Sequence, residues 1–499
     1  MPAAQCRTVA AVSATHSEWG WVEEVSLSSA DEKFVGIQIS PISFVDEGVE
    51  ALLDVLDQRF GINVLLVGTI SWLGLKVGRR ISWQLEGWPD HGPQAPSPLK
   101  GGSYIREHPE YYRNTFINQF RAADEALEGI DILEQIIPEA RKRGMKIYPE
   151  IMEPLFNYTG HGSSNNVGIP NLPQVLEVDL FNRYSSEPCI NNPDYRRWWY
   201  SIVEDYCRNY DIDGIMWCNE RRSPLDNLIA GRPPNCFCEH CRREATQRGI
   251  DVERVKLAYR PVYEYFQRAR AGDTLADGAL VEFLRVLYYN PEVLIWERFW
   301  VERNKDLDRE LYGIVKWCNQ DLKFGLNVWN RNHLNPLRKA QWPWEEMATW
   351  SDWVKPITYQ HQAGGIYFDE MSQWHKSILR DVSPQEMTPV MYRFLGMNEA
   401  GWDDVVQKGF DPDTYVYGQC HNTVEAVQGK VLVYMGIGVD APRTREDQAK
   451  CTPDIVRRSV LATYRAGGKG VVFSPNYAGM NLATLDGAAQ ALEELGLKS

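Results

Sequence analysis

The sequence predicts a barrel of eight parallel β-strands ringed by α-helices, a (β/α)₈ TIM barrel of the α/β class. Three observations point to it. Eight short apolar runs are spread along the chain, most are separated by segments of helical periodicity, and several end in a carboxylate or amide. A β-α-β order implies parallel neighbours joined by right-handed crossovers. A doubly wound sheet is the alternative. It is weakened because no Gly-x-Gly-x-x-Gly follows a strand and no Gly-x-x-x-x-Gly-Lys-Ser/Thr occurs.

The chain has 499 residues, 44% of them hydrophobic, which is ample for one large core. Residues 1–33 are rich in Ala and Ser and read as a lead-in. Phe34-Val-Gly-Ile-Gln-Ile-Ser40 is the first strand, 45–60 a helix, and 62–71 the second strand. A long Gly-, Pro- and Trp-rich loop follows, from Trp72 to about Arg113, and its aromatics suit an ordered wall. A helix at 131–144 leads to the third strand, 145–153. A second long loop covers 154–192. The helix at 194–210 sets Trp198, Ile202 and Tyr206 on one face. It delivers the chain to Asp211-Ile-Asp-Gly-Ile-Met-Trp-Cys-Asn-Glu-Arg-Arg222, the fourth strand, in which Gly214 allows close approach of another backbone. Residues 242–320 read as a helical insertion within a barrel spanning 34–499. The fifth and sixth strands are 323–330 and 352–360, and 364–395 reads as irregular. A helix at 414–428, the seventh strand 430–440, a helix at 452–466, the eighth strand 470–474 and a helix near 482–495 complete the barrel.

Composition narrows the partners. A formal net charge of −14 repels phosphate backbones, so nucleic acid is not expected as a partner. No stretch offers the roughly 18 uncharged apolar residues of a transmembrane helix. Residues 1–33 lack the basic start and apolar core of a secretory signal, so the chain reads as cytoplasmic, or as a mature form. Ten Cys, scattered except for one cluster, do not form a disulfide framework.

In such a barrel the reacting groups sit at the carboxyl ends of the strands. Glu153, Glu220 and Asp440 close strands three, four and seven. Two carboxyls facing one pocket can divide acid and base roles, as glycoside cleavage requires. Each has a plainer reading: Glu153 as partner of a nearby Arg, Glu220 in a salt bridge with Arg221 or Arg222, Asp440 as a cap before Ala441-Pro442. Asn219, Asn327, Asn330, Gln360, His361 and Asn476 lie at or beyond strand ends, where they would bond hydroxyls. Trp72, Trp88, Trp329 and Tyr477 would stack on sugar faces, or pack. Cys236-Phe-Cys-Glu-His-Cys241 has the spacing of thiolates that converge on one tetrahedral Zn²⁺, with a fourth ligand to be found elsewhere; three reduced thiols in a turn are the alternative. No Gly-x-Ser-x-Gly or His-Glu-x-x-His supports a serine hydrolase or zincin.

Cys189-Ile-Asn-Asn-Pro-Asp-Tyr-Arg196, then Trp217-Cys-Asn-Glu220, then Cys236-Phe-Cys-Glu-His-Cys241 resembles glycoside hydrolase family 42, the β-galactosidases of clan A. The resemblance spans about residues 189–245. It implies a structural zinc on Cys189, Cys236, Cys238 and Cys241, Glu220 as acid/base, a carbohydrate substrate, and assembly into a homo-oligomer. The clan places a nucleophilic Glu at the end of strand seven. Here that strand ends Gly436-Ile-Gly-Val-Asp440, which makes Asp440 the best second carboxylate and Glu153 the reserve. The expectation is a glycosidase. A non-hydrolytic sugar enzyme (lyase or isomerase) and a carbohydrate-binding barrel without catalysis are the alternatives.

Overall fold

The computed structural model describes residues 33–72, 87, 89–92, 101–122, 129–153, 169–443 and 445–498. The lead-in up to residue 32, Trp88, residues 73–86 and 93–100 of the first long loop and residues 154–168 of the second lie outside the described residues.

Eight parallel strands close a barrel: β1 (Phe34–Ile39), β2 (Val64–Gly68), β3 (Lys146–Glu153), β4 (Gly214–Asn219), β5 (Lys323–Val328), β6 (Trp353–Pro356), β7 (Leu432–Gly438) and β8 (Gly470–Ser474). Each pairs with its sequence neighbours, and β8 closes onto β1 with Phe34 opposite Gly470. This is the (β/α)₈ barrel expected from the alternating runs. Gly214 starts β4 where a Cβ would lie 1.9 Å from the Lys323 carbonyl oxygen, so a bare backbone is needed there. The second apolar run breaks after Gly68. Ile70–Ser71 leaves the barrel to pair with Gly102–Ser103.

Side chains alternate across each strand. On the inward register, Phe34, Val64, Leu66, Tyr148, Met216, Trp353, Tyr434 and Val472 form one buried cluster that plugs the lower barrel. Gly325 of β5 makes room for it, since a Cβ there would sit 2.0 Å from the Trp353 ring. The outward register packs against the surrounding helices in the main core, where the helix Pro193–Asn209 contributes Trp198, Trp199, Ile202 and Tyr206.

Between β4 and β5 run the helices Glu239–Gln247, Val252–Ala271, Ala279–Tyr289 and Glu292–Cys318. They enclose a second hydrophobic cluster that includes Phe237, Tyr259, Phe266 and Trp296. One expectation is corrected. The stretch 364–395, read as irregular, forms the helices Gln360–His375 and Pro384–Leu395. Gly364 and Gly365 both lie within the first of these helices. At Gly364 the missing side chain serves packing, because a Cβ would lie 2.0 Å from the Val405 carbonyl oxygen.

Candidate active site

Two residues above the aromatic plug the inward register turns polar. Gln38, Glu150, Asn327, Lys355 and Ser474 are all buried there. The Lys355 ammonium donates to Gln38 Oε1 at 2.7 Å and to Asn327 Oδ1 at 2.9 Å, and Asn327 Nδ2 donates to Cys218 Sγ at 3.1 Å. A cationic group this deep is tolerable only with such partners. Above this layer, at the carboxyl end of the barrel, lies a cavity of about 310 Å³.

Glu220 lines that cavity. It follows β4 on the register of Met216 and Cys218, and Cys218 Sγ donates to its Oε1 at 3.2 Å. Its two Arg neighbours are engaged elsewhere. Arg221 is fully buried against Glu153, with Nε at 2.9 Å from both carboxylate oxygens, and against Glu177 at 3.2 Å. Arg222 pairs with Asp226 at 3.2 Å and Glu370 at 3.1 Å.

The other two carboxylates hold different posts. Glu153 is 0% exposed, paired with Arg221 and accepting from the Tyr195 hydroxyl at 2.7 Å. It sits on the outward register of β3, behind the strand. Asp440 is on the inward register but has φ +45°, and its carboxylate accepts from Asn481 N at 2.7 Å, Asn481 Nδ2 at 3.0 Å and Thr484 Oγ1 at 3.3 Å. It thereby holds Asn481, the residue before the last helix, Leu482–Glu494, whose first N–H groups donate to Asp90.

Of the expected sugar contacts, Trp329, Asn327 and Asn330 line the cavity. Asn219 points outward, with Nδ2 3.4 Å from Asp308 Oδ1. Trp72 packs on Trp198 in the main core. Gln360 and His361 are buried, bonded to the carbonyls of Gly438 at 3.3 Å and Ala441 at 3.2 Å. Asn476 accepts from Ser40 N and Oγ, and the Tyr477 hydroxyl donates to Glu47.

Among the lining residues that the sequence did not point to are Tyr359, Arg331 and Asp369. Tyr359 has φ +37°, a strained value for a residue with a side chain, at the turn into the helix Gln360–His375. Burial pushes its phenol well up, and the Glu220 and Glu150 carboxylates add to this against a bond with Ser474. Tyr359 thus stays a protonated hydroxyl within the field of Glu220. Arg331 is held by Glu370 and lies against the Trp329 ring, 5.4 Å from its centroid. Although burial opposes it, Arg331, Arg222 and Arg338 hold the Glu370 carboxyl far below its usual range. Asp369 is exposed at the cavity edge, on the helix Gln360–His375.

Cys189, Cys236, Cys238 and Cys241 converge, with their sulfurs within 4.8 Å of one another and all four residues buried. Cys189 follows the ribbon of Leu176–Val178 and Tyr184–Pro188, and Cys238 caps the helix Glu239–Gln247. The N–H groups of Val178 and Asn191 donate to Cys236 Sγ and Cys189 Sγ, both at 3.3 Å, and Asn191 Nδ2 donates to Cys241 Sγ at 3.2 Å. Donors aimed at sulfur favour thiolates, the form that binds metal. The cluster can hold a metal ion.

No protein-family model and no curated protein matches the chain. Solved structures share its fold. A polyextremophilic β-galactosidase from the Antarctic haloarchaeon Halorubrum lacusprofundi matches at 13% identity and a TM-score of 0.51, over 93% of this chain and 58% of that one. A β-galactosidase from the psychrophilic Marinomonas ef1 matches at 12% identity and 0.48, over 93% and 59%. Alpha-L-fucosidase isoenzyme 2 from Paenibacillus thiaminolyticus matches at 12% identity and 0.47, over 93% and 49%. The chain thus spans about half to three-fifths of the length of these proteins, and the likeness is one of fold. Among the described residues, no helix is long and apolar enough to cross a membrane.

Proposed function

We propose that the chain is a carbohydrate-active enzyme that cleaves a glycosidic bond, with Glu220 as its proton donor. The observation that carries this reading is the place of Glu220, on the inward register beyond β4, in the cavity at the carboxyl end of the barrel. Cleavage requires one carboxyl to protonate the leaving oxygen and a second to attack the anomeric carbon or activate water. In this reading Asp369 is the second, because it lines the same cavity, while Asp440 holds the last helix and Glu153 holds Arg221. Trp329 offers a ring to a sugar face, and Asn330, Gln362 and Gln448 offer amides to hydroxyls. Tyr359 stands as a neutral donor beside the reacting carboxylate. The fold shared with the Halorubrum lacusprofundi β-galactosidase supports the reading only as a scaffold that hosts such chemistry among others.

The four-cysteine cluster holds zinc in this reading, since tetrahedral all-sulfur sites suit that ion. Four sulfur ligands leave no open position, so the site ties Cys189 to the loop beyond Glu220 and takes no part in the reaction. A screen of aryl glycosides and oligosaccharides tests the proposal, with wild type run beside Glu220→Gln and Asp369→Asn. On a cleaved oligosaccharide, whose leaving group needs a proton, each variant loses at least ~100-fold in kcat, the scale of general acid or base catalysis. The anomer first released then tells whether Asp369 attacks carbon or activates water. A Glu220→Gln variant as active as wild type contradicts the reading. The engagement of Asp440 with Asn481 and Thr484 favours a second one, a sugar-binding barrel without catalysis, which predicts saturable sugar binding and no release.

A further inference from the structure

Above the aromatic plug, three neighbouring strands each send one polar side chain inward at the same level: Cys218 from β4, Asn327 from β5 and Lys355 from β6. Cys218 stands opposite Asn327 in the strand register, and Asn327 opposite Lys355. All three are buried. Gly436 of β7 makes way for the lysine stem, since a Cβ there would lie 2.9 Å from Lys355 Cε. The ammonium fixes the direction of every hydrogen bond along the row, because it can only donate. It donates to Asn327 Oδ1 at 2.9 Å, so the amide turns its nitrogen to Cys218. Asn327 Nδ2 donates to Cys218 Sγ at 3.1 Å, and the sulfur accepts. The one thiol proton is then left for Glu220 Oε1, 3.2 Å away. In ordinary surroundings a thiol holds its proton to about pH 8.5 and a Glu carboxyl only to about pH 4.3, so sulfur is the donor in this contact. A carboxyl that accepts at Oε1 carries its own proton on Oε2.

Granted that Glu220 is the proton donor, we propose that this row is a relay that aims the acid. Lys355, Asn327 and Cys218 act as positioning residues that keep Glu220 Oε1 an acceptor and so place the transferable proton on Oε2. As the Oε2–H bond breaks and the proton passes to the leaving oxygen, its electron pair stays on the carboxylate. The Cys218 bond to Oε1 then becomes charge-assisted and strengthens. The bonds behind it, which end on a buried cation, polarise in the same direction. The row thus favours the state after proton transfer over the state before it, which is the kind of difference that speeds the step.

Infrared difference spectroscopy across pH tests this. Each protein is recorded against the same chain carrying Glu220→Gln, so the carboxyl band of Glu220 is read with or without a substrate. Cys218→Ala removes the donor, and Glu220 then titrates about one pH unit higher than in wild type, the direction expected when a bond to the charged form is lost. Cys218→Ser keeps a donor in the same place and returns the titration toward wild type. Lys355→Met keeps the stem, loses the cation and shifts the titration as Cys218→Ala does. The two Cys218 variants, which change little volume, carry the test if Lys355→Met melts below wild type. Tyr359 and Glu150, and Arg331 and Asp369 on the cavity wall, are the other titratable groups around Glu220 and stay in place throughout. On a cleaved oligosaccharide, Cys218→Ala loses about 10-fold in kcat with KM unchanged, and the alkaline limb of its pH profile moves up with the Glu220 titration. Glu220→Gln as active as wild type overturns the reading of Glu220 itself. With Glu220→Gln inactive, a Glu220 titration in Cys218→Ala equal to that in wild type overturns the relay alone.

Discussion

At the scale of single residues, Glu220 is fixed through its neighbours. Cys218 bonds it from below, and Arg221 and Arg222 are drawn into separate ion pairs on either side. Close behind it lies Asp308, which accepts from Trp217 Nε1 at 2.8 Å. Burial raises the Asp308 carboxyl from 3.8 to about 7, opposed by the Trp217 and Asn219 bonds. The folded chain therefore keeps a proton that the unfolded chain loses near pH 4. The stabilisation is complete below that pH and is lost as pH rises through about 7. Asp308→Asn removes this dependence. Thermal melts should show the variant more stable than wild type at pH 8, by up to about 4 kcal/mol, with the difference vanishing toward pH 4. Parallel melting at all pH values would contradict the assignment. Glu220 was legible in the sequence because it ends an apolar run in a parallel barrel. The sides of the strands are equally legible. Counting by twos from Met216 places Glu220 inward and Asn219 outward, and counting from Tyr148 places Glu153 outward. Tyr359 leaves no such trace, since its place depends on a left-handed turn, and Asp369 lies in a stretch read as irregular that forms a helix.

At the scale of elements, the segment after β4 is held by two devices. One is the buried ion pair of Glu153 with Arg221, joined by Glu177 and Tyr195. Glu153→Gln leaves Arg221 short of a counter-charge in a fully buried site. Urea denaturation should show a loss of about 3 kcal/mol or more. Because Glu153 faces away from the cavity, kcat on any cleaved glycoside should fall less than ~10-fold, whereas a catalytic Glu153 would give the larger loss of an acid or base. The other device is the four-cysteine cluster. Elemental analysis should find one zinc per chain. Stripping it with a chelator should lower the melting temperature, since binding energy of such a site is folding energy. Protein free of metal that melts at the same temperature would contradict a structural zinc. Three of these cysteines were legible from their spacing. Cys189 came only through the family resemblance, because the topology that folds it back onto the loop is not written in local sequence.

At the scale of the whole molecule, the alternation of apolar runs and helical periodicities made the barrel legible. What sequence order could not give was the division of the barrel into a sealed aromatic plug, a polar layer around Lys355 and a cavity above it. That layering comes from which residues of eight separate strands share a level, and it leaves Glu220 as the strand-end carboxylate, among those expected, that reaches the cavity. The most direct test of Glu220 as proton donor compares leaving groups. Wild type and Glu220→Gln are assayed on one cleaved sugar carrying either a dinitrophenyl group, which departs without protonation, or an alkyl group, which needs it. The account predicts that Glu220→Gln loses at least ~100-fold in kcat/KM on the alkyl glycoside and far less on the dinitrophenyl one. Equal losses on both, or none on either, would contradict it.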